Sequence, residues 1–581
     1  MNFRPNFFST LCLVLGPGLL WAQEGEIVDR ARAPGESARR EAEAAQAPEL
    51  PDLPESEADD TPLGVKLIEL RLISHQDKID PDSALSKAES GPVSVGEEVD
   101  LPEELAETLE GNYIGAELSL RKLEELARDI VLAYRETDFP LVDAYFPEQN
   151  ISLGKLQVVI REAVLGEVRI EGATRSKPDY LIGQVRIEPG DRINSRILEA
   201  DVEWLNENPS RTVDLIYERG EKDGASDVVL RTEDGQQIQG YVGFGNPGVN
   251  ATGEEEWAGG FSISNFLGTE QFIGYSFSGD AELDNLNAHA LIYQIPLPWR
   301  HRIEILGAWV VSNSTIPDAI LPFDVDGESY QTTIDYRIPL PKPRSTWRSN
   351  FRVAWDFKST NTDILFGGAS FFDTTAEVFQ FRAGYDLTIR DDAGETRLDL
   401  GVAYSPGNVT GHNVDEDFGA LREGSVAEYF YGTARLERLH RLPAEFGLVL
   451  RAEGQFSGDR LISTEQLLAG GYRSVRGFDE NLVRGDSGAI FSSELHLPSI
   501  SMFKKERSTF FLFYDAAWLS QSDSLPGETD PTLHGVGLGV NGELGDRLRF
   551  RASYGWRVGE TGLEGVELDD GKLHFGMTVR F

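Results

Sequence analysis

The chain has 581 residues, which is long enough for several domains, and its formal net charge at pH 7 is −43. Such an acidic excess argues against binding to nucleic acid or to an anionic surface. The single cysteine is Cys12, so the chain beyond it offers no disulfide, no thiolate metal ligand and no cysteine nucleophile.

Residues 1–22 have the features of a secretory signal peptide. Arg4 supplies the positive end, Phe7–Leu20 is apolar, and Leu20-Trp21-Ala22 resembles a cleavage site. A short buried core segment is the alternative for this stretch. The remaining sequence has no run of about eighteen apolar residues, so we expect an exported chain without a transmembrane helix. Such a chain ends either in solution or in a membrane barrel.

Residues 23–62 are predicted to form an acidic, proline-rich linker. This segment contains almost no aromatic side chains, so it cannot bury enough apolar surface to fold alone. Its best helical stretch is 35–45, and the helix breakers Pro48, Pro51 and Pro54 follow it. A solvated tail is the alternative to a functional helix here.

Residues 63–163 are predicted to form an α+β domain with the order strand, irregular segment, helix and two strands. Ser119 is placed to cap the helix. The segment 153–160 alternates like a half-buried strand, with Leu156, Val158 and Ile160 on one face. The buried face of the helix follows the three-and-four spacing and comprises Leu120, Leu123, Leu126, Ala127, Ile130, Val131 and Tyr134.

Residues 164–235 are predicted to form a second α+β domain with the same order of elements. A strand around Val168 and Ile170 is followed by a helix over 197–205, and then by strands over 213–217 and 228–230. The shared order predicts an internal structural repeat.

Residues 236–581 show no convincing helix and consist of segments that alternate with a period of two. In 547–558 the even-numbered residues are all apolar, whereas four of the six odd-numbered residues are arginines. The segments 273–278, 397–404 and 572–581 alternate in the same way, and the last of them ends in Phe581. These segments predict half-covered β-strands.

The arginines decide between a soluble sandwich and a membrane barrel. A strand face with four arginines suits a water-filled lumen, and strands of about ten residues match the thickness of a bilayer. We therefore predict an all-β transmembrane barrel of about 16 antiparallel strands, preceded in sequence by the two α+β domains.

Two motifs that resemble enzyme sites are better explained by turns. Gly243–Gly248 matches the spacing of a dinucleotide loop, but the phosphates need a helix N-terminus that this sequence lacks. Gly485-Asp486-Ser487-Gly488 resembles a serine protease loop, but the histidines are scattered singly and no triad is indicated. The sequence predicts no catalytic residue, no cofactor and no metal site.

The loop Gly470–Phe478, with the sequence GGYRSVRGF, combines flexible glycines with side chains that can fix a loop tip. Arg476 in this loop and Asp515 in the later apolar strand Phe513-Tyr514-Asp515 predict a buried ion pair, because an unpartnered charge in such a place is costly. An ordinary exposed turn is the alternative.

This arrangement resembles the two-partner secretion transporters, the TpsB family of the outer membrane, which belongs to the proteins with polypeptide-transport-associated (POTRA) domains. The resemblance covers nearly the whole mature chain. The matching features are the two POTRA-like units, the segments 145–156 and Leu205-Asn206-Glu207-Asn208-Pro209, the loop Val475-Arg476-Gly477-Phe478, Arg484-Gly485-Asp486-Ser487-Gly488, Phe513-Tyr514-Asp515 and Phe581.

The resemblance implies an outer-membrane transporter, working by type V secretion, that captures an unfolded partner exoprotein in the periplasm through POTRA domains. The loop between barrel strands eleven and twelve would fold into the pore, where Arg476 binds Asp515. Val475, Gly477 and Phe478 complete the loop motif, and many members have tyrosine in place of Phe478. The possible supporting residues are Tyr472, Arg473 and Phe513.

The family resemblance also implies further features. An N-terminal helix, here within residues 31–45, would plug the pore, although the acidic, proline-rich stretch after it differs from an ordinary linker. Phe581 would be the signal for insertion by the outer-membrane assembly machinery. The expected partners are the exoprotein, this machinery and outer-membrane lipid, and the expected state is a monomer without cofactors.

Three alternatives remain at this stage. A factor that inserts other barrels would share the POTRA units and the arginine loop, but two units rather than a longer series favour secretion. A passive porin would not need the α+β domains. A soluble adhesin or enzyme would explain neither the terminal strand nor the arginines of the lumen.

Overall fold

The computed structural model describes residues 53, 58–79, 92–96, 98–102, 104–316, 323–343, 346–366, 369–501, 506–545, 547–563 and 568–581. The predicted signal peptide (1–22) and the possible plug helix (31–45) lie outside these residues, as does most of the predicted linker. The chain divides into two compact units, one that ends at Gly235 and one that spans Gln236–Phe581.

The unit that ends at Gly235 contains two small sheets with separate apolar cores. The first sheet has the strand order β2-β1-β4-β3, in which β1 is parallel to β2 and β4, and β3 is antiparallel to β4. Its elements are β1 (Glu69–Ile73), β2 (Val93–Val95), α1 (Leu105–Tyr113), α2 (Leu120–Arg135), β3 (Val142–Tyr145) and β4 (Lys155–Glu162).

Helix α2 has the predicted cap and buries the centre of the predicted face, whereas Ala127 and Val131 of that face are only half-buried. The Ser119 hydroxyl accepts a hydrogen bond from the Lys122 amide at 3.1 Å, which caps the helix as predicted. Leu126, Ile130 and Tyr134 are buried. Leu120, which was predicted to lie on the buried face, is 53% exposed because the contact of the helix with the core begins only at Leu123.

Two other predictions for this sheet are wrong. The segment predicted to be irregular contains α1, whose Leu105, Leu109 and Tyr113 are buried at helical spacing. The helix is short and contains Gly111, so its sequence pattern is weak. Strand β4 is not half-buried, because it lies between β1 and β3 and its residues 156–160 are all buried.

The second sheet confirms the predicted repeat. Strand β5 is parallel to β7, and β6 is antiparallel to β7, which repeats the pairing of β1, β4 and β3; β2 is an addition to the first sheet. The elements are β5 (Val164–Glu171), α3 (Pro178–Ile182), α4 (Ser195–Asn206), β6 (Arg211–Arg219) and β7 (Ala225–Asp234).

Asn206, at the end of α4, pairs with the edge of this sheet. Its side-chain Oδ1 accepts from the Val213 amide at 2.6 Å, and its Nδ2 donates to the Val213 carbonyl at 2.9 Å. The side chain therefore takes the place of a neighbouring strand at the start of β6. Asn208 fixes the following turn, where its Oδ1 accepts from the amide and hydroxyl of Ser210. These contacts explain two asparagines of the segment Leu205–Pro209.

The second unit is a closed antiparallel barrel of 16 strands, as predicted. In order from first to sixteenth, its strands are β8 (Ile238–Gly245), β9 (Glu256–Phe266), β10 (Gln271–Asp280), β11 (Leu286–Pro296), β12 (Arg302–Ile316), β13 (Phe323–Pro339), β14 (Trp347–Phe366), β15 (Ala369–Asp391), β16 (Gly394–Pro406), β17 (Glu428–Arg441), β18 (Gly447–Ser457), β21 (Ser487–His496), β22 (Glu506–Ser520), β23 (Thr532–Leu544), β24 (Leu548–Arg557) and β25 (Gly571–Arg580).

The predicted alternation of faces is also present. Tyr554 and Trp556 of β24 are exposed on the outside of the barrel, whereas Ser553 is buried. In β25, Leu573 is exposed and His574 is fully buried. Apolar side chains therefore face outward and polar side chains face the lumen, as in a membrane barrel.

Two further elements lie between barrel strands. The strands β19 (Leu467–Ala469) and β20 (Val483–Gly485) form a separate antiparallel hairpin between β18 and β21. Helix α5 (Asp415–Leu421) lies between β16 and β17, so the expectation of no helix in this region is wrong. In the parts of the chain that the structure describes, no helix has the length and apolar composition needed to cross a membrane.

Candidate functional site

The segment 458–486, which we call the lumen loop, connects the eleventh and twelfth barrel strands, β18 and β21. This is the position expected from the family resemblance. Residues 458–469, which include β19, and residues 479–486, which include β20, form its two limbs, and the tip Gly470–Phe478 lies between them. The residues of the tip contact side chains of the inner barrel wall, so the loop folds into the lumen.

Arg476 and Asp515 form the predicted ion pair. The Arg476 Nε donates to Asp515 Oδ2 at 2.7 Å, and its Nη2 donates to Oδ1 at 2.8 Å. The Arg476 amide also donates to Oδ2 at 3.1 Å. Arg476 is 2% exposed and Asp515 is 0% exposed. This two-point geometry uses the planar fork of arginine, and a lysine ammonium does not reproduce it.

Phe513 adds a contact to the same guanidinium. The Cζ atom of Arg476 lies 3.6 Å from the centre of the Phe513 ring and 5.7 Å from that of Phe511. A cation over an aromatic face is attracted by the ring quadrupole, most strongly where water is excluded. Because Phe511, Phe513 and Asp515 alternate along β22, they all face Arg476 from one strand.

Glu494 is a second carboxylate at this site, and sequence reasoning missed it. Its Oε1 accepts from Arg476 Nη1 at 2.6 Å and from Arg551 Nη2 at 2.6 Å, while its Oε2 is 2.8 Å from His496 Nε2. Ser492 lies between the two acids: its hydroxyl accepts from Arg476 Nη2 at 3.3 Å and donates to Asp515 at 2.7 Å. We call Arg476 with Asp515, Glu494 and Ser492 the tip contact.

Gly477 brings the main chain of the tip against the wall. Its φ angle of +99° lies in the left-handed region that favours glycine. Its amide donates to His574 Nε2 of the last strand at 3.3 Å. Val475 and Phe478 on either side are buried in an apolar cluster with Leu519 and Leu533. The three motif residues therefore combine a backbone turn with apolar packing.

Tyr472 and Arg473 differ in their positions. The Tyr472 ring centre is 5.3 Å from the Cζ atom of Arg551, which links it indirectly to Glu494. Arg473 is exposed and forms no ion pair with any residue that the structure describes. Both residues line a cavity of about 630 Å³ beside the tip. The structure thus brings Tyr472 close to the tip contact but does not bring Arg473 into it.

Lys572 connects the lumen loop to the end of the barrel. Its Nζ binds Asp479 of the loop and lies 3.0 Å from Glu254, in the segment between β8 and β9. Asn250 of the same segment donates to Asp479 at 3.2 Å. The loop is therefore joined to the last barrel strand and to the segment that connects the first two.

The segment Arg484–Gly488 joins the end of the lumen loop to β21. The Asp486 carboxylate accepts two hydrogen bonds from Arg422, at 2.5 and 2.9 Å, and one from the Leu461 amide at 3.0 Å. Ser487 begins β21, and its hydroxyl donates to the Ser457 carbonyl at 3.1 Å. This segment fixes the base of the loop at the barrel rim.

The terminal Phe581 completes the barrel seam. Its amide donates to the Gly240 carbonyl at 3.0 Å, and its carbonyl accepts from the Gly240 amide at 2.9 Å. The ring is exposed on the outside of the barrel. Its use as an insertion signal stays a prediction.

Within the described ranges, no group of three or more His, Cys, Asp or Glu side chains is arranged to hold a metal ion.

Comparison with known proteins relates the chain to transporters. A family model for the haemolysin secretion/activation proteins ShlB/FhaC/HecB matches residues 224–542, more than half of the chain. A model for the ShlB-type POTRA domain matches residues 93–163.

Individual relatives agree with these matches. The chain is 23% identical over 458 residues to the heme/hemopexin transporter protein HuxB of Haemophilus influenzae (strain 86-028NP), over 76% of this chain and 78% of that protein. It is 24% identical over 490 residues to the outer membrane transporter CdiB of Dickeya dadantii (strain 3937), over 78% and 79%. Its fold is similar to that of CdiB from Escherichia coli, with a TM-score of 0.74 and 18% identity over 98% of this chain and 99% of that chain. The chain belongs to the ShlB/FhaC/HecB family of haemolysin secretion/activation proteins, the outer-membrane transporters of two-partner secretion.

Proposed function

We propose that the barrel exports an unfolded partner polypeptide and that the lumen loop occupies the pore until export begins. The observation that carries this proposal is the tip contact: a buried arginine joins the loop to two acids of the wall. A chain that passes through the lumen needs the space that the loop occupies. The tip contact is therefore the interaction that export must rearrange.

The energetics of the tip contact favour two states of the lumen loop, one held inside the lumen and one released from it. The removal of one member of a buried ion pair costs about 3–5 kcal/mol, because it leaves the other charge buried without a partner. When the loop leaves the lumen as a whole, however, Arg476 and the two acids all regain water. The contact therefore resists partial displacement and permits a concerted one.

We further propose that residues 63–163 and 164–235 are two POTRA domains that lie in the periplasm and bind the unfolded partner. The POTRA match covers 93–163, and the second sheet has the same pairing as the first. In the part of the chain that the structure describes, β6 pairs with only one strand, β7. Beyond Val213, whose backbone groups are bound by Asn206, this edge offers main-chain groups to an extended peptide.

The remaining parts of the proposal concern chemistry and partners. The protein acts as a transporter without enzymatic activity or a cofactor, and capture below and folding outside drive export. Its outward aromatic and aliphatic side chains contact outer-membrane lipid. Its own insertion uses the outer-membrane assembly machinery, with Phe581 as the signal, and it works as a monomer that binds no nucleic acid.

Deletion of residues 63–235 tests the division of labour between the two units. We expect the barrel to insert, which heat-dependent mobility in gel electrophoresis reports, and export of the partner to stop. The substitution Asp515→Ala is expected to reduce export, whereas Asp399→Asn is the matched control, because Asp399 pairs with Arg352 of the wall. Export that continues without residues 63–235, or that is unaffected by Asp515→Ala, contradicts the proposal.

A further inference from the structure

Glu465 is a further charged residue that joins the lumen loop to the barrel wall. It lies before β19 on the first limb of the loop and is 4% exposed. Its Oε1 accepts from Lys358 Nζ at 2.6 Å, and its Oε2 accepts from Gln380 Nε2 at 3.1 Å and from the Tyr431 hydroxyl at 2.9 Å. We call Glu465 with Lys358, Gln380 and Tyr431 the limb contact.

The limb contact and the tip contact use different parts of the wall. Lys358, Gln380 and Tyr431 lie on the seventh, eighth and tenth strands, whereas Ser492, Glu494 and Asp515 lie on the twelfth and thirteenth. None of the hydrogen bonds between Glu465 and the wall described above involves a residue of the tip contact. Interactions that share no partner contribute nearly additively to stability.

The wall side of the limb contact is fixed in advance. The Gln380 Oε1 accepts from the Tyr429 hydroxyl at 3.0 Å, and its Nε2 also donates to Asp356 at 3.1 Å. Asp356 in turn accepts from Arg382 at 2.5 and 2.9 Å. These bonds hold Gln380 in place, and Glu465 supplies the second negative charge that balances Lys358 and Arg382.

Apolar packing divides the loop in the same way. Leu461 and Ile462 of the limb are buried in a cluster with Phe418 of α5 and Tyr429 of the wall. Val475 of the tip belongs to a separate cluster, which also contains Leu467 and Ala469 of β19 but neither Leu461 nor Ile462. Each contact therefore has its own polar group and its own apolar cluster.

We propose that Glu465 is a positioning residue that holds the limb of the lumen loop independently of the tip, so that release of the tip contact alone does not clear the pore. This inference rests on the proposed function only where it takes the loop to move during export. The anchorage itself is measurable without an exported partner.

Single reporter cysteines test the two points separately. In a Cys12→Ser background the chain has no other cysteine. Ile462→Cys reports on the limb and Val475→Cys on the tip, because both side chains are fully buried. The rate of reaction with a water-soluble maleimide is measured on the full-length protein in liposomes, after heat-dependent gel mobility has shown a folded barrel.

Glu465→Gln is expected to speed labelling at position 462 at least about tenfold, the ratio that corresponds to ~1.4 kcal/mol of local opening, and to leave position 475 unchanged. Arg476→Ala is expected to speed labelling at position 475 and to leave labelling at position 462 unchanged. Lys358→Met should repeat the effect of Glu465→Gln, whereas Lys358→Arg, which keeps the charge, should retain slow labelling. Asp399→Asn, a wall substitution away from the loop, should change neither rate.

Two results would overturn the inference: slow labelling at position 462 in Glu465→Gln, or fast labelling at both positions in Arg476→Ala. Failure of the proposed function would give a different result. Export of a partner would not depend on this chain, whereas the labelling rates at positions 462 and 475 would still change as described.

Discussion

The main chain of Gly477 in the lumen loop lies directly against the main chain of Gly555 in β24. A β-carbon on Gly477 would be 3.0 Å from the Gly555 carbonyl carbon, and one on Gly555 would be 2.5 Å from the Gly477 nitrogen. The two glycines thus allow the loop tip to approach the wall as closely as the tip contact requires.

The first prediction concerns this approach. Gly555→Ala is expected to displace the tip, since its β-carbon would also lie 2.6 Å from the carbonyl carbon of Arg476, and to weaken the tip contact by about 1–3 kcal/mol. The measurement is the open fraction of single channels in planar lipid bilayers, which should rise. Gly576→Ala is the matched control, because a β-carbon there meets no atom within 4 Å. Equal open fractions for Gly555→Ala and Gly576→Ala would show that the close approach of Gly555 to the tip does not control opening.

The second prediction separates charge from geometry at Arg476. Arg476→Lys keeps the positive charge but cannot form the two-point contact with Asp515, so we expect an open fraction and an export level between those of the parent and Arg476→Ala. Arg435→Lys is the control, because Arg435 pairs with Glu453 at an exposed position of the wall. If Arg476→Lys behaved like the parent, charge alone would be sufficient at this position.

The third prediction concerns Asn206. In the parent, Asn206 Nδ2 donates to the Val213 carbonyl and Oδ1 accepts from the Val213 amide. In Asn206→Asp the carboxylate still accepts from the amide, but its second oxygen faces the carbonyl and cannot donate to it. The loss of stability at β6 is expected to be about 1–3 kcal/mol, because the substitution leaves buried polar groups without hydrogen-bond partners. Amide hydrogen exchange of β6 in the full-length protein should become faster. Asn208→Asp is the control, since its oxygen accepts from Ser210, a role that a carboxylate also performs. Unchanged exchange in Asn206→Asp would refute the account.

The fourth prediction is a pH dependence in residues 164–235. Partial burial acts to raise the pKa of Asp234, but hydrogen bonds from the Ser176 hydroxyl and from the amides of Thr174, Arg175 and Ser176 outweigh it and lower the pKa to about 2. A lowered pKa in the folded state means that this stabilisation is complete above the ordinary value of 3.8 and is lost as the pH falls from there through about 2.

Amide exchange of residues 174–176, expressed as protection factors, measures this effect between pH 5 and pH 2.5. In the parent we expect the protection factors to decrease as the pH is lowered. In Asp234→Asn, which cannot ionise, they should be smaller than those of the parent at pH 5 and nearly independent of pH. The same pH dependence in both proteins would assign the effect to other groups.

The barrel was predictable from the sequence because strand geometry produces a two-residue alternation of apolar and polar side chains. Side chains alternate between lipid and lumen, so the arginines of β24 and the apolar residues of β25 give the faces directly. The pairing of Arg476 with Asp515 was also accessible, since a charge in an apolar strand calls for a partner.

The remaining contacts depend on three-dimensional neighbours. Alternation places Glu494 in the lumen, but it does not tell which of many inner acids meets the loop. Glu465 carries no sequence signal beyond a charge in a loop, and its partners come from three distant strands. Helix α1 was missed because it has only nine residues and contains Gly111, so its periodic pattern is short.

The most direct test of the account is the surface level of a candidate exoprotein, the product of an adjacent gene, in cells with and without this chain. Surface immunoblotting gives the measurement. The account predicts that the surface signal disappears without the chain and that the exoprotein is trapped or degraded in the periplasm, while other outer-membrane barrels keep their normal levels. An unchanged surface signal together with depleted barrels would contradict it and would indicate an assembly factor.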